Sequence, residues 1–396
     1  MSDLAALWPL DPAVTFLNHG SYGACPAEVL RYQAALRAEM EAEPVRFLGR
    51  ELDDRLEVAR AALAAFVGAD PDDLAFMTNA TSGVNAVVRS RDFAAGDELL
   101  TTDHAYSACK NALEYVARRT GARVVIVTLP FPVASPDEVV DTVMAHVTPR
   151  TRLALLDHIT SPTALILPVE RLIAELSQRG IDTLIDGAHA PGMVPLDLNT
   201  LGATYYSGNC HKWLCAPKGS AFLWVRRDRQ SEVRPLTISH GASAPPSRAR
   251  FRVEFDWTGT SDPTAWLTVP TAIAYLEGLV PGGWPALMAR NRALALDARR
   301  MLCETAGTAP ACPDSMIGSI ASVQLPDGVT TLAWRERDPI QGRLFDGWGL
   351  EVPVMSWPAP PRRLIRISAQ LYNDRAQYVR LAEALSKELA AERTRA

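Results

Sequence analysis

The 396-residue chain has no block of basic residues, no internal repeat and no low-complexity tract. It also has no apolar run near the roughly 20 residues that cross a bilayer. With a formal net charge of −5, the first of these absences argues against a nucleic-acid partner. The last argues against a membrane-spanning helix. Met1 to Leu10 contains neither a basic n-region nor an apolar h-region, so export is not expected and the chain is read as cytoplasmic. Cysteine is sparse: Cys25, Cys109, Cys210, Cys215, Cys303 and Cys312. In a cytosolic chain of this size reduced thiols are the expectation. Cys210 and Cys215 have four residues between them, but no second pair or histidine cluster completes a zinc site, and no metal is expected.

What is present is an ordinary globular composition, 48% hydrophobic and 21% charged. The length exceeds one small core and suggests a large domain plus a smaller one. Pro26 opens a helix through about Glu43. Leu52, Leu56, Ala59, Leu63 and Phe66 recur at helical spacing before Gly68 as a stop. Seven short apolar runs follow, mostly separated by helical segments: Leu74–Thr78, Glu98–Thr102, Val124–Thr128, Leu153–Asp157, Thr183–Asp186, Thr204–Ser207 and Ala221–Val225. Most are too continuous for a strand with one wet face, which predicts a mostly parallel sheet sandwiched by helices. Ala242 to Arg252 reads as a loop. Beyond Trp266 the texture changes to long helices, Ala265 to Leu279 and Trp284 to Thr305. Weaker strands at Ile320–Leu325, Thr331–Trp334 and Leu364–Ser368 follow, then a last helix from Asp374 to about Arg393. The fold class is α/β, with a smaller α+β domain.

In an open parallel sheet, ligands bind beyond the carboxyl ends of the strands. Asp186 ends one such run, Asp157 and His158 another, Lys212 follows "ATYYSGN", and Thr78–Gly83 opens a helix. Singly, each has a plain reading: a surface lysine, a turn-capping aspartate, a helix cap. Together they supply three complementary handles. Hydroxyls and free N–H groups at a helix start suit a phosphate. An acid at a strand end can hold a proton on a pyridine nitrogen. A lysine in an apolar setting has a depressed pKa and can attack an aldehyde. These are the three handles on pyridoxal 5′-phosphate.

"DGAHAPG" (186–192), with "HKW" (211–213) 26 residues after the aspartate, resembles the class V aminotransferase family. "LNHGSYGACP" (17–26), "EPVRFLGRE" (43–51), "TNATSGVN" (78–85), "SPTALILP" (161–168) and "RISAQLYN" (366–373) are similar to its isopenicillin N epimerase-like branch. The resemblance implies a fold-type-I pyridoxal phosphate enzyme. Residues 1–50 would form an amino-terminal arm and helix near the small domain, 51–264 the large cofactor-binding domain, and 265–396 the small domain. Lys212 resembles the Schiff-base lysine, Asp186 the partner of the pyridine nitrogen, and His189 the residue near the cofactor O3′. His104 resembles the residue stacked on the ring, with Tyr106 as a neighbouring alternative. Ala80 and Thr81 resemble the phosphate turn, with Ser207 and His211 reaching the phosphate from the lysine loop. Ser161 stands near O3′. Gly259 and Thr260 resemble a phosphate contact donated by the other subunit, which implies a homodimer with shared sites. Asn209 is read as a helper or only a turn.

The same resemblance places Arg366 on the substrate α-carboxylate, where a guanidinium suits bidentate recognition. Asn18, His19 and Tyr22 belong to an arm that lines such sites, and Arg46 either holds a distal carboxylate or is a plain surface arginine. The chemistry expected is deprotonation at the Cα of an amino acid, with epimerisation or racemisation first, carbon–sulfur lyase second and aminotransferase third. Racemisation asks for a second acid on the far face, with His104 and Tyr22 as candidates. No cysteine lies between Pro313 and the carboxyl terminus, which argues against a cysteine desulfurase, whose chemistry needs a thiol on a small-domain loop.

Overall fold

The computed structural model describes residues 4–243, 245, 249–329, 331–333 and 336–394. The amino-terminal arm carries a two-residue strand, β1 (Thr15–Phe16), and the helical turn His19–Tyr22, and is followed by the helices Ala27–Ala42 and Leu52–Val67. Gly68 ends the second helix in the left-handed region at φ 62°, a conformation that only glycine adopts without cost.

The main sheet is built from β2 (Leu74–Met77), β3 (Glu98–Thr102), β4 (Arg123–Val127), β5 (Thr151–Asp157), β6 (Asp182–Gly187), β7 (Tyr205–Asn209) and β8 (Ala221–Val225). Its order is β2-β8-β7-β6-β5-β3-β4. All neighbours are parallel except β8, which runs antiparallel to both β2 and β7.

Alternation along the strands divides the apolar side chains between two clusters, as the two-residue period requires. Ala75, Leu99, Leu153, Leu155, Leu184, Tyr205 and Leu223 face the helices Ala80–Ser90 and Ser107–Thr120. Phe76, Leu100, Ala154, Leu156, Ile185, Tyr206 and Phe222 face the opposite side, toward the helices Leu52–Val67 and Val169–Gln178. Edge strand β4 departs from the pattern: it has no outer neighbour, and Ile126 is exposed.

A second sheet has the order β11-β12-β9, with β9 (Ile320–Leu325), β11 (Val354–Ser356) and β12 (Arg363–Ser368) all antiparallel. The helices Gly283–Ala306 and Arg375–Arg393 pack together beside it. Strand β10 (Leu350–Glu351) pairs in parallel with β1 and ties the arm to this part of the chain.

Three readings of the sequence need adjustment. The helix expected over Ala265 to Leu279 is two, Thr264–Leu267 and Val269–Glu277, because Pro270 occupies the first turn of the second and supplies no N–H. Within the strand expected at Thr331–Trp334, residues 331–333 are irregular and Trp334 lies outside the described residues; β11 pairs with β12 on that side instead. Of the loop at Ala242–Arg252, residues 242–243 close a 3-10 turn and 250–252 open the helix Arg250–Asp256, while 244 and 246–248 lie outside the described residues. Among the described residues, no helix is long and apolar enough to cross a membrane.

The helix Ala80–Ser90 approaches β7 closely because Gly83 has no side chain. A Cβ there would stand 2.2 Å from Ser207 Oγ and 3.0 Å from Ser207 Cβ, but 3.6 Å from Leu223 Cβ. Gly83→Ala should therefore destabilise by about 1–3 kcal/mol, the usual cost of overpacking. Gly83→Ala/Ser207→Gly should be less destabilised than the sum of the two single variants. Thermal or urea unfolding checks both, and additive losses would show that this contact does not limit the helix approach.

Candidate active site

Parallel register sets three polar residues side by side at the carboxyl edge of the main sheet: Asp157 on β5 opposite Asp186 on β6, and Asp186 opposite Ser207 on β7. The loops leaving these strands and β3 surround a cavity of about 350 Å³. Lys212, Asp186, His189, His211, Ala80, Thr81, Ser161 and Tyr22 all line it.

Lys212 Nζ lies 3.2 Å from His189 Nε2, and Trp213 Nε1 lies 3.2 Å from His189 Nδ1. An indole nitrogen only donates, so His189 Nδ1 accepts. The neutral imidazole then carries its proton on Nε2 and donates it to Lys212, whose amine has a lone pair to offer only when uncharged. The electrostatics agree. Burial pushes His189 well below its ordinary value, and the charge of Lys212 adds to the effect. Burial also pushes Lys212 down to about 8, helped by the Arg366 guanidinium and opposed by Asp186.

Asp186 is buried, and its two oxygens have separate partners. The Cys109 thiol donates to Oδ2 at 3.1 Å and the Ala188 N–H to Oδ1 at 3.0 Å. Neighbouring Asp157 also lines the cavity. Burial and then the charge of Asp186 push it well above the carboxylate range, so it is held protonated.

Arg366 lies on β12 and is only 3% exposed. Its Nη1 donates to the Ser161 carbonyl at 2.7 Å and Oγ at 3.1 Å, and its Nη2 to Ser21 Oγ at 2.9 Å. Both serines belong to the cavity wall. Nε has no partner, and no carboxylate pairs with this guanidinium among the described residues. Burial pushes Arg366 down to about 10. A buried cation that lacks a counter-ion is costly until an anion arrives.

Several expected site residues sit elsewhere. His104 is fully buried behind the wall, bonded through Nδ1 to Thr163 Oγ1 at 2.7 Å and packed against the Phe131 and Trp357 rings; Tyr106 lines the cavity instead. The Ser207 hydroxyl is used by the Ala80 and Phe222 carbonyls at 3.0 and 3.2 Å, so it braces the helix start and does not reach the cavity. Asn209 lines the cavity and takes the Ala80 N–H at 2.8 Å, which makes it a cap on the same helix. Asn18 acts one step back: it accepts from Ser21 Oγ at 2.6 Å and donates to Glu351. Arg46 is half exposed and ion-paired with Glu43 and Glu51, away from the cavity wall. Gly259 and Thr260 line a separate cleft of about 770 Å³ with Val45, Leu48 and Trp257. Ser21 and Cys109 carried no signal in the sequence, because their roles come from arm docking and from a helix packed beside β6.

The doubly covered sheet, the small antiparallel sheet and a lysine after β7 make up the fold of the fold-type-I pyridoxal phosphate enzymes. The profile of the class V aminotransferase family matches residues 24–316, and the chain belongs to that family. It is 40% identical to an isopenicillin N epimerase of Amycolatopsis lactamdurans, over 96% of each chain. It is 31% identical to a probable chloroplastic L-cysteine desulfhydrase of Arabidopsis thaliana, over 95% of this chain and 83% of the relative. In fold it is similar to a solved structure of C-DES with glycine covalently linked to the pyridoxal phosphate cofactor. The TM-score is 0.81 at 20% identity, over 98% of this chain and 99% of that one.

Pyridoxal 5′-phosphate is the cofactor of this protein. The cavity suits it: an amine at Lys212 whose pKa is held down to about 8, a carboxyl at a strand end, and the start of an 11-residue helix at Ala80 and Thr81, with its positive dipole end and His211 nearby for a phosphate.

The depressed Lys212 has a direct consequence in the cofactor-free protein. Below pH 8 its ammonium prevails and is unreactive; above it the free amine prevails. An ordinary lysine near 10.4 is still less than ~1% neutral at pH 8. Lys212 should be acylated with a pH midpoint near 8. Peptide mass spectrometry after brief labelling measures this, and a midpoint above about 10 would contradict the neutral-amine geometry.

Proposed function

We propose that this protein uses pyridoxal phosphate to deprotonate an amino acid, or an amino-acid-derived substrate, at Cα, with epimerisation as the outcome. The observation that carries the reading is the buried Arg366, bonded only to serine oxygens among the described residues, beside a lysine that burial lowers to about 8: a carboxylate anchor next to a base. Epimerisation is favoured over other fates by the likeness to the isopenicillin N epimerase along nearly the whole chain.

When bound, the cofactor supplies the electron sink that acidifies the Cα–H bond. The chain supplies the rest. Arg366 receives the α-carboxylate, with Ser21 and Ser161 fixing the guanidinium plane. Lys212 takes the Cα proton on its own side. Asp186 holds the proton of the pyridine nitrogen, and its oxygens are aimed by Cys109 and Ala188. His189 steers the amine, and the helix start at Ala80 and Thr81 receives the phosphate with His211.

A second reading is a carbon–sulfur lyase, favoured by the 31% identical desulfhydrase; aminotransfer comes third. Cysteine desulfuration is disfavoured because the chain has no cysteine after Cys312.

The test is a panel of L-amino acids together with isopenicillin N in deuterated water, read for Cα exchange, inversion, keto acid and released thiol. Epimerisation predicts exchange with inversion; thiol release without inversion would replace it by the lyase reading. Arg366→Gln should lower kcat/KM by about a hundredfold, equivalent to about 3 kcal/mol, with cofactor absorbance retained. An unchanged kcat/KM would remove Arg366 from the substrate site.

We further propose a homodimer in which Gly259 and Thr260 serve the partner's phosphate, since they stand apart from their own cavity beside exposed Val45. In mixed dimers, Lys212→Ala paired with Thr260→Ala should leave one intact site, whereas Lys212→Ala paired with Arg366→Ala should leave none. Equal activity of the two hybrids would deny the shared site.

A further inference from the structure

Inverting a Cα centre requires a proton to leave from one face and arrive on the other, so a site with one base needs a second group opposite it. The epimerase reading, on which this inference rests, has so far supplied only Lys212. His104 suits the task poorly: it is fully buried and neutral, with burial pushing it down to about 4 and its Nδ1 bonded to Thr163.

The sheet order gives the alternative. Along the carboxyl edge the sequence is β7-β6-β5-β3. Lys212 leaves β7, Tyr106 leaves β3, and Asp186 and Asp157 stand between them on β6 and β5. A ligand anchored on Asp186 therefore has Lys212 on one side and Tyr106 on the other. Tyr106 initiates the helix Ser107–Thr120, whose first turn also carries the Cys109 that bonds Asp186. The phenol feels the charges of both Asp186 and Arg366. The α-carboxylate held by Arg366 would be one bond from Cα, and Tyr106 lines the same cavity as Ser21 and Ser161, the two serines that hold that guanidinium. Tyr22, the other phenol on the wall, is 77% exposed against 45% for Tyr106, and lies on the outer rim.

We propose that Tyr106 is the second acid–base group of this site, delivering a proton to Cα on the face opposite Lys212. The exchange balances. Lys212 Nζ takes the proton as the first Cα–H bond breaks, and the electron pair stays with the substrate–cofactor unit. The Tyr106 O–H bond then breaks as the new Cα–H bond forms, leaving an ammonium at Lys212 and a phenolate at Tyr106. Solvent at the open side of the cavity returns a proton from one to the other. Burial raises the Tyr106 phenol above its ordinary value, which keeps it protonated and ready to donate at neutral pH, while Arg366 steadies the transient phenolate.

Tyr106→Phe keeps the ring and removes only the transferable proton. In deuterated water, with isopenicillin N and the L-amino-acid panel, the holoenzyme variant should retain Cα exchange with the L configuration to within about tenfold. Inversion should fall at least a hundredfold. Pyridoxal phosphate titrated into the cofactor-free protein should bind the variant and the wild type equally. Inversion at the wild-type rate, or parallel loss of exchange and inversion, overturns the assignment alone. So does a loss of cofactor affinity matching the loss of inversion, which would make Tyr106 a cofactor-holding ring. A wild-type enzyme that exchanges but never inverts overturns the epimerase reading and this role with it.

Discussion

The direction of one hydrogen bond constrains the rest of the site. Trp213 can only donate, so His189 must accept on Nδ1 and present its other N–H to Lys212. That arrangement is satisfied by a free amine and conflicts with an ammonium. Burial acts in the same direction on both groups, lowering Lys212 and His189 together. The lysine is thus prepared by its sequence neighbour: Trp213 is fully buried, and its packing fixes the donor that fixes the tautomer.

Holding the loop that bears Lys212 is a task shared by distant parts of the chain. The ring of His19 sits between Tyr372 Oη at 2.8 Å and the Lys212 carbonyl at 3.0 Å, so the amino-terminal arm and a segment after β12 grip the lysine backbone from one side. Gly23, at φ 70°, lies against the same loop, and a Cβ there would fall 2.1 Å from the His211 carbonyl. Only glycine permits that approach. The pairing of β1 with β10 carries the arm into position. Arg366 reaches Ser21 of that arm, so its guanidinium and the lysine loop are set by one docking event.

Most of the scaffold was legible in the sequence because it follows from period and punctuation. The seven apolar runs became the seven strands of the main sheet, and Gly68 stopped its helix as expected. Lys212, Asp186 and the Ala80–Thr81 turn were legible because strand ends are where open sheets present polar groups. Where His104 and Tyr106 lie depends on orientation after a strand. His104 and Tyr106 are two residues apart, yet one turns inward against Phe131 and Trp357 while the other faces the cavity. Ser207, by contrast, is on a strand in register with Asp186, but its short hydroxyl is taken by two carbonyls before it can reach outward. Asp157 was visible as a strand end, whereas its proton follows from a register with Asp186 that no linear pattern contains.

The distribution of charge around the cavity explains why so compact a site can take an anionic ligand. Two carboxyls sit on adjacent strands, and the stronger desolvation and mutual repulsion are relieved by protonating Asp157. The Cys109 thiol donates to Asp186, and its own ionisation is opposed first by burial and then by Asp186. On the other side stand a lysine that sheds its proton near pH 8 and an arginine that keeps its charge. Arg366 therefore remains as the permanent cation, bonded only to hydroxyl and carbonyl oxygens among the described residues. A neutral substrate would leave it uncompensated. In the proposed reading a carboxylate would complete its coordination and hold the adjacent carbon between the exits of β7 and β3, where Lys212 and Tyr106 line the cavity.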